Sequence, residues 1–191
     1  NYSLFSCRSY YSLDNLNSTN MQALKRPYYW HAIYTRSRAE KRLYQELCSK
    51  NIECYLPLHK ELRQWSDRTK WVEEPLLRSY LFVKVSEREY YDVINSNFAV
   101  RYVTFGGKAV PIPEQQIEAL QLFLEDENRK VDLCPDHLEK GECVEIVCGP
   151  LKGIQGEIIQ IKGKSRIVIR FDSLGTCVYT DISLDTIKQV Q

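Results

Sequence analysis

The sequence predicts an α+β chain: a mostly antiparallel sheet with flanking helices over residues 27–125, then a small all-β barrel over residues 139–191. Three observations carry this. Strand and helix patterns interleave through the first part, in the order strand, helix, two strands, helix, strand, helix. Residues 126–138 are polar and charged, and Pro135 breaks them, which marks a linker. Beyond the linker, Val and Ile runs are punctuated by Gly149-Pro150, Gly153, Gly156, Gly163 and Gly175. That is the pattern of about five short strands joined by tight turns.

Each element has its own signal. Residues 1–26 mix Asn, Ser and Tyr without period and are read as a disordered tail or an upstream extension, the alternatives being a natural start at Met21 and a flexible native tail. YYWHAIYT (28–35) alternates as a strand, with Tyr28, Trp30, Ala32 and Tyr34 on one face. SRAEKRLYQELCSKN follows as a helix: Ala39, Leu43 and Leu47, with Tyr44 and Cys48, fall at helical spacing, and Ser37 is placed to cap it. ECYLPLHKEL (53–62) reads as a second strand leading to a polar tip, QWSDRTKW. The chain returns through Val72 and PLLRSYLFV (75–83) as a hairpin, with Tyr80 and Phe82 on one face. SEREYYDVINS reads as a short helix and VRYVTFGGKAVPIP as a strand with a turn at Gly106-Gly107. A helix follows Pro113, which occupies its first turn, with Ile117, Leu120 and Leu124 as the buried stripe.

Composition narrows the function classes. The 191 residues are 43% hydrophobic and carry a net charge of only +1, so any nucleic-acid contact must come from a local patch. One such patch is Lys25, Arg26, Arg36, Arg38, Lys41 and Arg42 against the single acid Glu40, read either as a solvated face or as a phosphate contact. No apolar run approaches the roughly eighteen residues of a membrane span, and no secretion signal is evident; a cytoplasmic location is expected. The seven cysteines (Cys7, Cys48, Cys54, Cys134, Cys143, Cys148, Cys177) contain no C-x-x-C pair, and His31, His59 and His137 are far apart. Reduced, mostly buried thiols are expected, with no metal and no cofactor.

Enzyme chemistry finds no support. Gly163-Lys164-Ser165 ends like a phosphate-binding loop, but that motif needs a glycine where Ile158 stands. GPLKGIQG lies between strands rather than opening a helix. No carboxylate pair, and no Ser or Cys beside a suitable His, forms a catalytic set. At the hairpin, Trp65, Arg68, Lys70 and Trp71 are either a partner contact or a decorated loop, and Tyr80 with Phe82 either a core layer or a docking patch.

The segment Gly141-Glu142-x-Val144-x-Ile146-x-x-Gly149-Pro150-Leu151-Lys152-Gly153-x-x-Gly156 resembles a KOW motif, as found in ribosomal proteins and in transcription elongation factors. Val144 and Ile146 would be its inward strand positions, Gly149-Pro150 its turn, and Gly156 a point of close backbone approach. Trp30-x-x-x-Tyr34, PLLRSYLFV and VRYVTFGG together resemble the N-terminal (NGN) domain of the NusG family. Within that family the chain is most similar to specialised paralogues such as RfaH and the UpxY antiterminators of capsular polysaccharide operons, and RQWSDRTKWVEEPLLRSYLFV resembles the latter especially. Arg78-Ser79 departs from the Pro followed by Gly or Asn of most relatives, which puts the local turn in question.

The resemblance implies an NGN α/β sandwich joined to an SH3-like KOW barrel, in a non-enzymatic, monomeric factor with no membrane partner. The dense Val and Ile and the glycines between Gly149 and Gly175 favour strands, so a barrel is expected at rest too. It implies docking on the clamp helices of the largest RNA polymerase subunit through Tyr34, Tyr80, Phe82 and Phe105, with Trp30 as a supporting wall. Tyr91 and Asp92 would touch the opposite lobe of the polymerase, and Arg36, Arg38 and Arg42 the non-template DNA strand. The KOW domain (Gly141, Val144, Ile146, Gly149, Pro150, Lys152, Gly153, Gly156) would recruit a ribosomal protein or termination factor. The rival readings are a general NusG-like elongation and termination factor, and a KOW-containing RNA-binding protein of the ribosome.

Overall fold

A computed structural model describes residues 27–64, 66–126, 129–135, 139–161 and 163–190, without the side chains of Pro135 and Ile161. The expectations for residues 1–26 (with Met21, Lys25 and Arg26), for Trp65 and for the middle of the linker lie outside the described residues. In chain order the elements begin β1 (Tyr29–Thr35), α1 (Glu40–Ser49), β2 (Glu53–Tyr55), β3 (Leu58–Gln64), β4 (Thr69–Pro75), β5 (Tyr80–Val85), α2 (Glu89–Ile94) and β6 (Ala99–Tyr102). Then come β7 (Thr104–Phe105), β8 (Lys108–Ala109), β9 (Pro111–Ile112), α3 (Glu114–Glu125) and β10 (Val131–Pro135). The chain finishes with β11 (Glu142–Ile146), β12 (Gln155–Ile161), β13 (Lys164–Phe171), β14 (Thr176–Asp181) and β15 (Ile187–Gln189). These elements form two compact units, one made of the described residues up to Leu56 with Ser79–Tyr102, the other of Pro57–Arg78 and the chain from Val103 onward.

The first unit is an antiparallel sheet in the order β2-β5-β1-β6. Alternation along its strands separates two faces. Ile33, Leu81, Val83 and Val85 share one face, with Cys54 and Tyr102 across from them. α1 packs on β2 and β5, and α2 on β6; the helices add Leu43, Leu47 and Val93 to the buried core. Burying each such Leu, Ile or Val stabilises the unit by about 1.5–3 kcal/mol before ordering costs are counted.

Three local expectations change here. Ser37 does not cap α1, because the N-cap position falls on Ala39 and no side chain caps it. PLLRSYLFV is not one strand: Pro75 closes β4 and Tyr80 opens β5, since Ser79 has φ +62°, a left-handed turn that no strand continues through. The buried Glu40 stabilises that turn by accepting the Ser79 amide N–H at 2.7 Å, while Ser79 O accepts from Thr35 N at 2.9 Å. ECYLPLHKEL likewise splits into β2 and β3 around Pro57, which has no N–H to give to a ladder.

In the second unit, β3 and β4 pair over their whole length, and Leu62 faces Trp71 across the ribbon with both side chains exposed. β7 and β8 turn at Gly106-Gly107, whose φ values of +58° and +80° suit a two-residue hairpin turn. Pro113 sits at the N-cap of α3 rather than in its first turn. The buried stripe is Ile117, Ala119, Leu120 and Phe123, with Leu124 only half-buried. The run ALQLFL is apolar at adjacent positions, so periodicity could not choose between Phe123 and Leu124.

The largest sheet runs β10-β14-β13-β12-β11-β15, antiparallel at every ladder. Its strands β11 to β15 are the five expected after residue 139. β10 is an addition, because Val131–Pro135 pairs with β14 although it lies in the stretch read as linker. The expectation of reduced cysteines also fails there. Cys134 and Cys177 stand opposite each other with Cα atoms 5.3 Å apart and form a disulfide.

Candidate interaction site

The β1–β5 register brings the predicted aromatic residues of the first unit together. Trp30, Ala32 and Tyr34 stand opposite Lys84, Phe82 and Tyr80. Tyr80 OH donates a 2.6 Å hydrogen bond to Tyr34 OH, and the rings lie 4.5 Å apart, tilted by 43°. Across the β1–β6 ladder Arg101 faces Tyr34, its guanidinium carbon 5.2 Å from the ring centroid, within cation–π range. Lys84 makes the same kind of contact to Trp30 at 5.9 Å, and Tyr55 stacks on Phe82 at 6.4 Å. Burial, with the hydrogen bond to Tyr34, pushes the Tyr80 phenol well above the usual tyrosine range, and Arg101 offsets only part of this. Tyr80 is therefore a neutral donor at physiological pH.

Exposure sorts these residues into two roles. Tyr34 and Tyr80 are half-buried, and Arg101 is exposed beside Tyr34. Phe82 is 0% exposed and Trp30 5%. Phe82 was expected to touch a partner and Trp30 to be a supporting wall; both side chains are buried, and neither has surface to offer. Phe105 belongs to the second unit, at the β7–β8 turn, where it is 86% exposed. Arg101 escaped the sequence reading because only the cross-strand register places it on Tyr34.

The other predicted contact residues of the first unit are at the surface. Tyr91 and Asp92 are exposed on α2. Behind them runs an aromatic ladder: Tyr91 meets Tyr90 edge-on at 5.6 Å, Tyr90 stacks on Tyr102 at 3.9 Å, and Tyr102 meets His31 at 5.9 Å. The Tyr102 hydroxyl donates to Tyr90 O at 3.0 Å, which ties α2 to β6. Arg36, Arg38 and Arg42 are all exposed around the start of α1. Arg38 has φ +57°, and Arg42 lies 5.9 Å from the Phe98 ring, which holds one end of this patch.

The glycine-rich motif of the second unit forms an exposed loop on buried anchors. Gly149, Pro150, Lys152 and Gly153 are exposed, while Val144, Ile146, Leu151 and Ile154 are buried. Gly153 N donates to Ile146 O at 2.7 Å, closing the loop onto β11. Gly156 is required by close approach, since a Cβ there would lie 2.7 Å from Val168 O. At Gly141 the Ile158 carbonyl occupies the Cβ position. The Gly141 amide donates to Glu157 at 3.2 Å, and Glu157 also takes a two-pronged contact from the buried Arg170. Among the described residues no group of three or more side chains could hold a metal ion, and no helix is long and apolar enough to cross a membrane.

Comparison with known proteins bears on this fold. The chain aligns with the transcription termination/antitermination protein NusG of Rickettsia conorii at 22% identity, 93% of this chain against 97% of the relative. The same protein of Rickettsia typhi aligns at 22% identity over the same shares. The NusG structure from Thermotoga maritima superposes with a TM-score of 0.47 at 17% identity, covering 86% of this chain and 98% of that one. Residues 28–121 match the family model described as transcription termination factor nusG. Residues 28–121 are a domain of the NusG family.

Proposed function

We propose that this chain is a transcription elongation and antitermination factor that binds RNA polymerase through the Tyr34–Tyr80–Arg101 group. The observation that carries the reading is the pair of linked hydroxyls on two half-buried tyrosines, flanked by a guanidinium, on strands whose Phe82 and Trp30 are buried. A rigid aromatic platform with a few fixed polar groups is what a binding hot spot needs. The partner is the clamp-helix region of the largest polymerase subunit. Tyr91 and Asp92 reach the opposite lobe, and Phe105 adds an apolar contact from the second unit.

Bridging the DNA cleft favours the closed, elongating polymerase over the opened, paused one, because a ligand shifts an equilibrium by its preference for one state. Arg36, Arg38 and Arg42 hold the non-template strand by charge. The exposed loop at Gly149–Lys152 recruits a ribosomal protein or a termination factor. The factor works as a cytoplasmic monomer on particular long operons, such as capsular polysaccharide clusters, a reading supported by the hairpin sequence RQWSDRTKWVEEPLLRSYLFV. A general elongation and termination factor is the second reading, favoured by the names of the Rickettsia relatives.

Occupancy of the protein alongside RNA polymerase across its host genome tests this. Signal confined to a few long operons is expected. Signal following polymerase everywhere makes it a general factor, and no overlap with polymerase overturns the proposal.

A further inference from the structure

We propose that the Cys134–Cys177 disulfide is a redox-controlled latch that holds β10 on the sheet of the second unit. β10 is the outermost strand in the order, beside β14, and Cys134 pairs directly with Cys177 across that ladder. The rest of its grip is one-sided: the ladder to β14 and a few side chains. Val131 and Cys134 are its buried side chains, and Pro135 has no N–H for the ladder. Thr176 and Thr180 add hydroxyl hydrogen bonds to Cys134 O at 3.1 Å and Lys130 O at 3.0 Å. β10 pairs on one side only, with β14, whereas β11, β12 and β13 each have a paired neighbour on both sides. Loss of the clamp therefore loosens one strand without dismantling the sheet. Cys48 Sγ and Cys54 Sγ, in the first unit, lie 3.7 Å apart as a hydrogen-bonded pair.

The chemistry is thiol–disulfide exchange with a dithiol reductant, either a small molecule or a dithiol protein. Cys134 is 6% exposed and Cys177 0%, so the reductant's thiolate attacks Cys134 Sγ when β10 frays. Cys177 leaves as a thiolate and is protonated. The second thiol of the reductant then displaces Cys134, which leaves with two protons and two electrons transferred in all and the reductant oxidised to its own disulfide. The Cys177 thiol finds a waiting acceptor, Cys134 O at 3.4 Å. Reduction leaves β10 held to the sheet by its ladder to β14 and by side-chain contacts, with no covalent bond across that ladder. Fraying of β10 then uncovers the outer edge of β14, a template for an extended partner segment.

The test is amide hydrogen exchange on the full chain, oxidised and then reduced with dithiothreitol, with peptide mapping to assign the thiols. The protein purified without reductant should carry the Cys134–Cys177 bond. Reduction should speed exchange in β10 and at the outer amides of β14 on the order of 10²-fold, with β11 to β13 changing only a few-fold. The double variant Cys134→Ser/Cys177→Ser should show the reduced pattern whether or not dithiothreitol is present. Free thiols at both positions under non-reducing conditions, unchanged β10 exchange on reduction, or equal acceleration throughout β11–β13 would each overturn the latch.

Discussion

Tyr80→Phe removes one oxygen and leaves the ring in place, so it isolates the hydroxyl pair at the candidate site. The lost bond is short, 2.6 Å from Tyr80 OH to Tyr34 OH. A net contribution of about 0.5–1.5 kcal/mol follows for such a bond. Tyr34 is half-buried, so water reaches the orphaned partner and the value should sit near about 1 kcal/mol. In urea, with a slope of about 1–3 kcal/mol/M, that lowers the unfolding midpoint by roughly 0.3–1 M. A cycle with Tyr34→Phe should return a coupling of about 1 kcal/mol. Phe82→Ala is the contrast: its ring is wholly buried, and deleting it costs about 3–5 kcal/mol, a large part of the ~5–15 kcal/mol available to a domain. Tyr80→Phe is thus expected to stay folded and to weaken polymerase binding, whereas Phe82→Ala loses binding by losing structure. Zero coupling between the two tyrosines would refute the hydrogen bond. A fully stable Phe82→Ala with abolished binding would refute its place in the core.

Four further outcomes follow from the geometry. The Arg170 guanidinium bonded to Glu157, with the Gly141 amide, holds that carboxyl below the usual range despite opposing burial. A lowered folded pKa gives stability that is present above the unfolded value of about 4.3 and is lost as pH falls through the folded one. Glu157→Gln should therefore flatten the acid limb of the stability profile below about pH 4.3. Gly156→Ala should destabilise by about 1–3 kcal/mol in thermal or urea melts, since its methyl meets Val168 O at 2.7 Å. Ser79→Gly should raise stability by about 0.5–1 kcal/mol, because φ +62° strains a residue with a Cβ more than it costs glycine. Replacing Arg36, Arg38 and Arg42 together by alanine should reduce the salt dependence of single-stranded DNA binding by roughly 0.7 in slope per lost phosphate contact, read by fluorescence anisotropy.

Much of this protein is legible locally. Alternation at 28–35 sets which of Trp30, Tyr34, Ile33 and Thr35 share a face, because a strand's side chains reverse at every residue. The glycine at 156 and the apolar pair Val144 and Ile146 announce a tight β module, since few other residues fit so close to a neighbouring backbone. Periodicity says that Tyr80 and Phe82 point the same way, but not how deep each lies. Depth depends on what the rest of the chain places over that face, and only the tertiary structure decides that Phe82 is core while Tyr80 is half-open. The same holds for residues joined by register. Arg101 reaches Tyr34, and Cys134 meets Cys177 across a sequence separation of 43, through ladders whose alignment no local pattern encodes. Val131–Pro135 reads as a polar linker because its own residues carry little strand signal; it becomes a strand because the open edge of β14 satisfies its backbone.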